Sequence, residues 1–245
     1  MLTQQTLEKL HQLGLKSMAQ AYQEQFARSD IAALTFDERL GLLVDEQWFE
    51  RENYRLKRRL KSANLKLQPC VEDIDYRHPR GLDRGLITDL TNCRWIRAKG
   101  NLILCGPTGL GKTWLANALG HRACQEGFTA YYARLSRLVS ELALARADGS
   151  YLALLKKIAK FDLVVIDDWA LRPLEGEAMH SLLEVLDDRI GSRSTILTSQ
   201  LPVPKWHGMI ADPSVADAIL DRVTSTAVQI NLKGESMRKR GDSKP

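Results

Sequence analysis

The chain has little that would hold a fold together by covalent or metal chemistry. Its 245 residues include four cysteines, Cys70, Cys93, Cys105 and Cys124, widely spaced and without a C-x-x-C pair. A disulfide framework and a cysteine metal site are both poor fits to that spacing, and reduced structural thiols are expected. No apolar run approaches the ~20 residues of a membrane span. Residues 1–15 show no basic stretch followed by an apolar one, so no secretory leader is read and a soluble, cytoplasmic protein is expected. Proline is absent before Pro69, and glycine interrupts the first 66 residues only at Gly14 and Gly41. There is no internal repeat and no low-complexity tract. Charge is not balanced: 35 Lys and Arg against 30 Asp and Glu give a net +5, which permits a nucleic-acid partner without demanding one. Apolar residues make up 44%, enough for a sizeable core, and the length suits one α/β domain with a smaller appendage.

Without breakers, residues 1–66 read as helical. Leu7, Leu10, Leu13, Met18 and Tyr22 recur at three to five residues, an imperfect amphipathic face. Residues 37–60 continue the pattern with Leu40, Leu43, Val44 and Trp48. Their end is strongly basic: Arg51, Arg55, Lys57, Arg58, Arg59 and Lys61. On a helix, Arg51, Arg55, Arg58 and Arg59 share one face. Such a run ordinarily means a solvated surface. Here Trp48 and Tyr54 are interleaved and the only acid from Arg51 to Lys66 is Glu52, which favours contact with DNA phosphates. Residues 67–98 read as a connector, polar at 69–79 with Glu72, Asp73 and Asp75, then helical at 83–95. The second domain runs over 99–245 and ends in a short basic tail.

The strongest signal is Gly106, Pro107, Thr108, Gly109, Leu110, Gly111, Lys112 and Thr113, which fits the phosphate-loop pattern G-x-x-x-x-G-K-[ST]. An apolar strand at residues 101–105 precedes it and a run of helix formers at 114–124 follows, the setting the motif needs. The glycines let backbone N–H groups turn toward phosphate oxygens, and the helix N-terminus adds partial positive charge. Lys112 suits the β- and γ-phosphates, and Thr113 suits Mg²⁺. Downstream, strands at 128–133, 161–168, 194–200 and 227–232 alternate with helices at 134–147, 151–160, 177–190 and 215–225. That alternation predicts an α/β fold with a mostly parallel sheet flanked by helices. The strand at 161–168 ends in Asp167 and Asp168. A buried strand delivering Asp167 to the Mg²⁺ shell leaves Asp168 to polarise the attacking water. A lone His207, near Trp206 and Asp212, has no nucleophile beside it and is read as structural.

Taken in order, GPTGLGKT, LVVIDDW, TILTSQLPVPKWH, DAILDRV and GESMRK resemble the AAA+ helper ATPases of IstB-type insertion sequences, relatives of DnaC-type helicase loaders and DnaA initiators. The resemblance spans roughly residues 40–240. It implies an ATP- and Mg²⁺-dependent protein that binds double-stranded DNA with little sequence preference and self-assembles. It also implies help to a partner transposase in selecting target DNA, without cutting DNA itself. A helicase loader is the alternative, and a scaffold whose ATP site only switches assembly is a third. Residue by residue, Lys112, Thr113 and Asp167 match nucleotide and metal ligands. Asp168 stands where most AAA+ proteins have Glu, one methylene longer, which bears on hydrolysis rate. Ser199 or Gln200 matches the polar sensor near the γ-phosphate. Arg222 matches the arginine finger given to a neighbouring subunit, against a surface pair with Asp221 or Asp217. Arg238 matches the second sensor arginine, against a tail touching DNA. The helical lid after the sheet is expected to be reduced or absent.

Overall fold

A computed structural model describes residues 2–237. The chain forms two compact units, Met1–Arg58 and Arg59–Pro245. The first is all helical: α1 (Leu2–Gln12), α2 (Lys16–Ala27), a 3-10 turn at Ser29–Ala33, and most of α3 (Phe36–Ala63). Gly14, at φ 72°, makes the tight link between α1 and α2. A capping box starts α3: the Glu38 N–H donates to the Thr35 hydroxyl at 3.3 Å and the Thr35 N–H donates to the Glu38 carboxylate at 2.8 Å. Leu7, Ala19, Ile31 and Leu43 form a small interior. Buried Gln25 and Gln47 are satisfied by backbone, Gln25 donating to the Arg39 carbonyl and Gln47 accepting from the Met18 N–H.

In the second unit β1 (Asn101–Cys105), β2 (Ala130–Arg134), β3 (Leu163–Trp169), β4 (Ser194–Ser199) and β5 (Ala227–Asn231) form one sheet in the order β2-β3-β4-β1-β5. Every pairing is parallel. Both faces are covered, which is why these strands read as unbroken apolar runs. Ile103, Cys105, Val164, Ile166 and Leu197 enter a core with α7 (Leu135–Asp148), α8 (Tyr151–Ala159), α9 (Glu177–Asp187) and α10 (Pro213–Thr224). The alternate residues Leu102, Leu104 and Val165 lie on the other face, covered by α6 (Lys112–Gln125). Trp169 and Trp206, 1% and 0% exposed, pack with ring centroids 5.5 Å apart at the end of that core. Asp212 caps α10 by accepting from the Ser214 and Val215 N–H groups, and Pro213 takes the first helical position.

The stretch read from sequence as a connector belongs to the sheet unit. Asn117, 0% exposed in the middle of α6, accepts from the Leu67 N–H at 3.3 Å and donates to the Thr113 carbonyl at 2.7 Å. Asn64 donates to the Tyr132 carbonyl at 3.5 Å. Next come a 3-10 turn at Val71–Asp73, α4 (Arg84–Thr91), capped by Asp83 on the Leu86 N–H, and α5 (Arg94–Arg97). Both the turn and α4 pack on α6. Among the described residues, no α-helix follows β5, and no helix is long and apolar enough to cross a membrane. All four cysteines are free. Burial pushes the Cys93 and Cys124 thiols up to about 11, so they stay protonated and unreactive.

Candidate nucleotide site

The loop between β1 and α6 is shaped by its glycines. Gly109 and Gly111 hold φ values of 89° and 82°, the left-handed region that favours glycine. A Cβ on Gly109 would strike the Ser236 hydroxyl, and one on Gly111 would come 2.7 Å from Arg80 Nη1. Lys112 is only 8% exposed, and its Nζ donates to the Gly106 and Pro107 carbonyls at 2.6 and 2.8 Å. Arg80 props the loop from beneath. It is 2% exposed, with Nη1 donating to the Leu110 carbonyl at 2.9 Å and Nη2 to the Asp75 carbonyl at 3.1 Å. Burial holds its guanidinium below the usual arginine value, opposed by the charges of Asp75 and Tyr76. The chain after β5 returns over the same loop: the Lys233 N–H donates to the Arg80 carbonyl and the Met237 N–H to the Gly109 carbonyl, each at 3.0 Å.

Asp167 and Asp168 are consecutive and differ in every respect. Asp167 is fully buried. Its carboxylate accepts from the Thr113 hydroxyl at 2.8 Å, from the Tyr132 phenol at 2.7 Å and from the Thr198 hydroxyl. Burial first, then the hydrogen bond to Asp167, pushes the Tyr132 phenol well above its ordinary range, so it remains a donor. A strand-end carboxylate joined to the hydroxyl of the loop threonine is the oxygen set Mg²⁺ takes, so the residues present fit that ion. Asp168 sits at φ 60°, in left-handed backbone, beside a register shift where β3 leaves β4 between Ile166 and Trp169. The shift turns its carboxylate into the cavity, 3.5 Å from Arg134 Nε. That cavity, about 770 Å³, is lined by the loop (Thr108, Gly109, Gly111, Lys112, Thr113), by Asp168, Arg134 and Gln200, and by Lys66, Leu67, Pro69, Asp73, Asp75, Arg80 and Met237 from both ends of the unit.

Of the two sensor candidates, Gln200 lines the cavity. Ser199 is 0% exposed, donates to the Trp169 carbonyl at 2.9 Å and accepts from the Leu201 N–H at 3.1 Å. It ties the ends of β3 and β4 together behind Asp168 and Gln200. Arg222 lies on α10 and does not line the cavity. Its Nε pairs with Asp187 Oδ1 at 2.5 Å, where the sequence offered Asp221 or Asp217, and Asp217 instead faces His207 at 3.3 Å. Arg238 lies outside the described residues. Along α3, Arg51, Arg55, Lys57, Arg58 and Lys61 are exposed, while Arg59 is half-buried, near Gly127. Arg55 pairs with Glu52, and the Arg58 guanidinium lies 6.0 Å from the Tyr54 ring centre. Sequence reasoning missed Arg80, Arg134, Tyr132, Thr198 and Asn117. Position could have found two of them: Arg134 ends the strand beside Asp167, and Thr198 is next to last on the strand on the other side. Arg80 and Asn117 had no local signal.

A parallel five-stranded sheet of this order, with a glycine loop after β1 and a buried aspartate near the end of β3, is the P-loop fold of the AAA+ type. Solved structures with the same fold include DnaI (TM-score 0.58, 19% identical, covering 68% of this chain and 92% of that one) and the DnaC helicase loader (TM-score 0.54, 16% identical, 72% and 99%). The match to the IstB-like ATP binding protein family runs over residues 8–245, and the chain belongs to that family. An insertion-sequence ATP-binding protein of Sinorhizobium fredii is 48% identical over 239 residues, 98% of each chain. The IS1162 ATP-binding protein of Pseudomonas fluorescens is 53% identical over 216 residues, 84% of this chain and 94% of that one.

Proposed function

We propose that this chain is an ATPase that binds double-stranded DNA, assembles on it with ATP, and assists a partner transposase in target selection and insertion. The observation that carries the ATP reading is the Thr113 hydroxyl bonded to the buried Asp167 carboxylate at the mouth of a glycine cradle. Backbone N–H groups of Gly106–Thr113 bind the phosphates, and Lys112 exchanges its loop carbonyls for the β- and γ-oxygens. Thr113 and Asp167 would hold Mg²⁺, which when bound would neutralise charge on the phosphates. Asp168 orients the attacking water, Gln200 contacts the γ-phosphate, and Arg222 is given to a neighbouring subunit's site. The exposed cations of α3 meet DNA phosphates, contacts that carry little sequence preference. The names of the relatives support transposition over helicase loading, and the reading carries a cytoplasmic location with it.

Lys112→Ala tests this. It should abolish ATP binding and any ATP-dependent assembly on duplex DNA while leaving the fold intact by circular dichroism. A variant that binds and hydrolyses ATP like the parent would remove the site assignment.

A further inference from the structure

We propose that Asp187 is the positioning residue for Arg222, holding its guanidinium in the orientation that serves a neighbouring subunit's γ-phosphate. The inference rests on the reading of Arg222 as a finger acting in trans. Three observations point to Asp187. First, the guanidinium is fixed on two of its three nitrogens, Nε to Asp187 at 2.5 Å and Nη1 to the Ala218 carbonyl at 2.7 Å. Among the described residues Nη2 has no protein partner, and the side chain remains a quarter exposed. A planar fork held at Nε and Nη1 cannot rotate about its own plane, so one edge is left for an anion.

Second, the backbone of the same residue is tied to the sheet. Asn101 Nδ2 donates to the Arg222 carbonyl at 3.2 Å, and Asn101 Oδ1 accepts from the Thr195 N–H at 2.9 Å. Asn101 opens β1, the strand that leads into the phosphate loop. The position of Arg222 is therefore set by the strand that sets the nucleotide, and Asp187 sets its direction.

Third, Asp187 breaks a local rule. It is the last residue of α9, Asp188 follows it, and the last turn of that helix carries no basic residue. Negative charge at a helix C-terminus opposes the helix dipole. Asp217 and Asp221, on Arg222's own helix, do not take the guanidinium; Asp217 faces His207. An acid placed against the dipole and joined to a candidate catalytic arginine is the kind of local conflict found at functional sites. With Asp187 about half exposed, its ion pair contributes little to folding. A purely structural role for it is correspondingly weak.

The test is complementation among three variants, with full-length protein and duplex DNA. Arg222→Ala lacks the finger and Lys112→Ala lacks the phosphate loop, so mixing them rebuilds one intact interface and restores ATPase. Asp187→Asn should bind ATP with the parent's affinity, melt within a few degrees of it, and lose kcat on the order of 10- to 100-fold. It should be restored by mixing with Lys112→Ala and not by mixing with Arg222→Ala, because those two lack the same part. Asp187→Glu should recover part of the rate. If Asp187→Asn melts far below the parent, the folded Asp187→Glu variant decides: a kcat below the parent's that is restored by Lys112→Ala and not by Arg222→Ala supports positioning, and the parent's kcat, or no such difference between the two mixtures, overturns it. No ATPase from Arg222→Ala mixed with Lys112→Ala would overturn the trans reading itself. Restoration in that pair, with Asp187→Asn at the parent's kcat or not restored by Lys112→Ala, would overturn the role of Asp187 alone.

Discussion

The sheet unit and the helical unit treat charge in opposite ways. In the sheet unit the charges that matter are buried and partnered. Asp167 receives three hydroxyls, and Arg189, 1% exposed, donates to the carbonyls of Ile158, Phe161 and Ser194. Burial lowers the Arg189 guanidinium to about 9, a measure of how far it has left water. Along the part of α3 in the helical unit, Arg51, Arg55, Lys57 and Arg58 stand in solvent, and among the described residues Arg51 and Lys57 show no ion pair. Buried charge acts over one hydrogen bond, depends on geometry and is insensitive to salt. Exposed charge acts over a Debye length, adds up residue by residue and fades as salt rises. The first suits chemistry and the second suits holding a polyanion, the role proposed for α3. If the division is real, variants in one unit should leave the other unit's readout alone.

The largest effect is expected at Asp168. Replacing it with Asn keeps the shape and removes the base, so turnover should fall on the order of 100-fold or more. Nucleotide binding, measured with a fluorescent ATP analogue, should be unchanged, and so should the salt dependence of DNA binding. Lost nucleotide binding would mean the carboxylate serves the loop through Arg134 rather than the water.

A smaller and differently shaped effect is expected from α3. Reversing Arg51, Arg55 and Arg58 to Glu removes three exposed cations and leaves half-buried Arg59 in place. Duplex affinity should fall for every sequence tried, and the slope of log K against log salt should shrink by roughly 3. Nucleotide affinity without DNA should match the parent. An unchanged slope would leave this face merely solvated.

What was legible from sequence follows the same division. The alternation of strand and helix, the glycine loop, and the Asp167–Asp168 strand end are local patterns, and all five strands fall where hydrophobic runs placed them, within a residue or two. The IstB-type resemblance added the family. Illegible were the contacts made by packing distant segments. Arg80 reaches the loop at Leu110 across 30 positions, and Asn117 holds Leu67 across 50. In sequence, residues 67–98 look like a linker because they are polar and punctuated. In the fold their polar groups are spent on the nucleotide helix and loop. Ser199 and Gln200 were equivalent as letters, and only the fold shows that Ser199 is spent on the Trp169 carbonyl at the end of β4 while Gln200, just past it, lines the cavity. Asp187 was invisible because its partner lies 35 residues further on.

The smallest expected effect probes how far the buried site depends on each donor. Tyr132→Phe removes one hydroxyl and almost no volume. Three donors now hold Asp167, but one of them, Thr113, is also the residue proposed to hold Mg²⁺. A hydroxyl whose lone pair would serve the ion keeps its proton, so Thr113 would remain a donor to Asp167 beside Tyr132 and Thr198. In the Phe variant two donors are left, one of them shared with the ion. Loss of an outer partner to a metal ligand costs roughly 10-fold in metal affinity. The Mg²⁺ concentration for half-maximal ATPase should therefore rise by about that factor, while kcat at saturating Mg²⁺ stays near the parent. Losing a hydrogen bond to a buried carboxylate should also lower stability by about 1–2 kcal/mol, seen as a modest drop in Tm. Because the phenol is held far above its ordinary range, neither effect should vary between pH 6 and pH 9. A Tm drop with an unchanged Mg²⁺ requirement would make Tyr132 a packing residue and leave the orientation of Asp167 to Thr113 and Thr198.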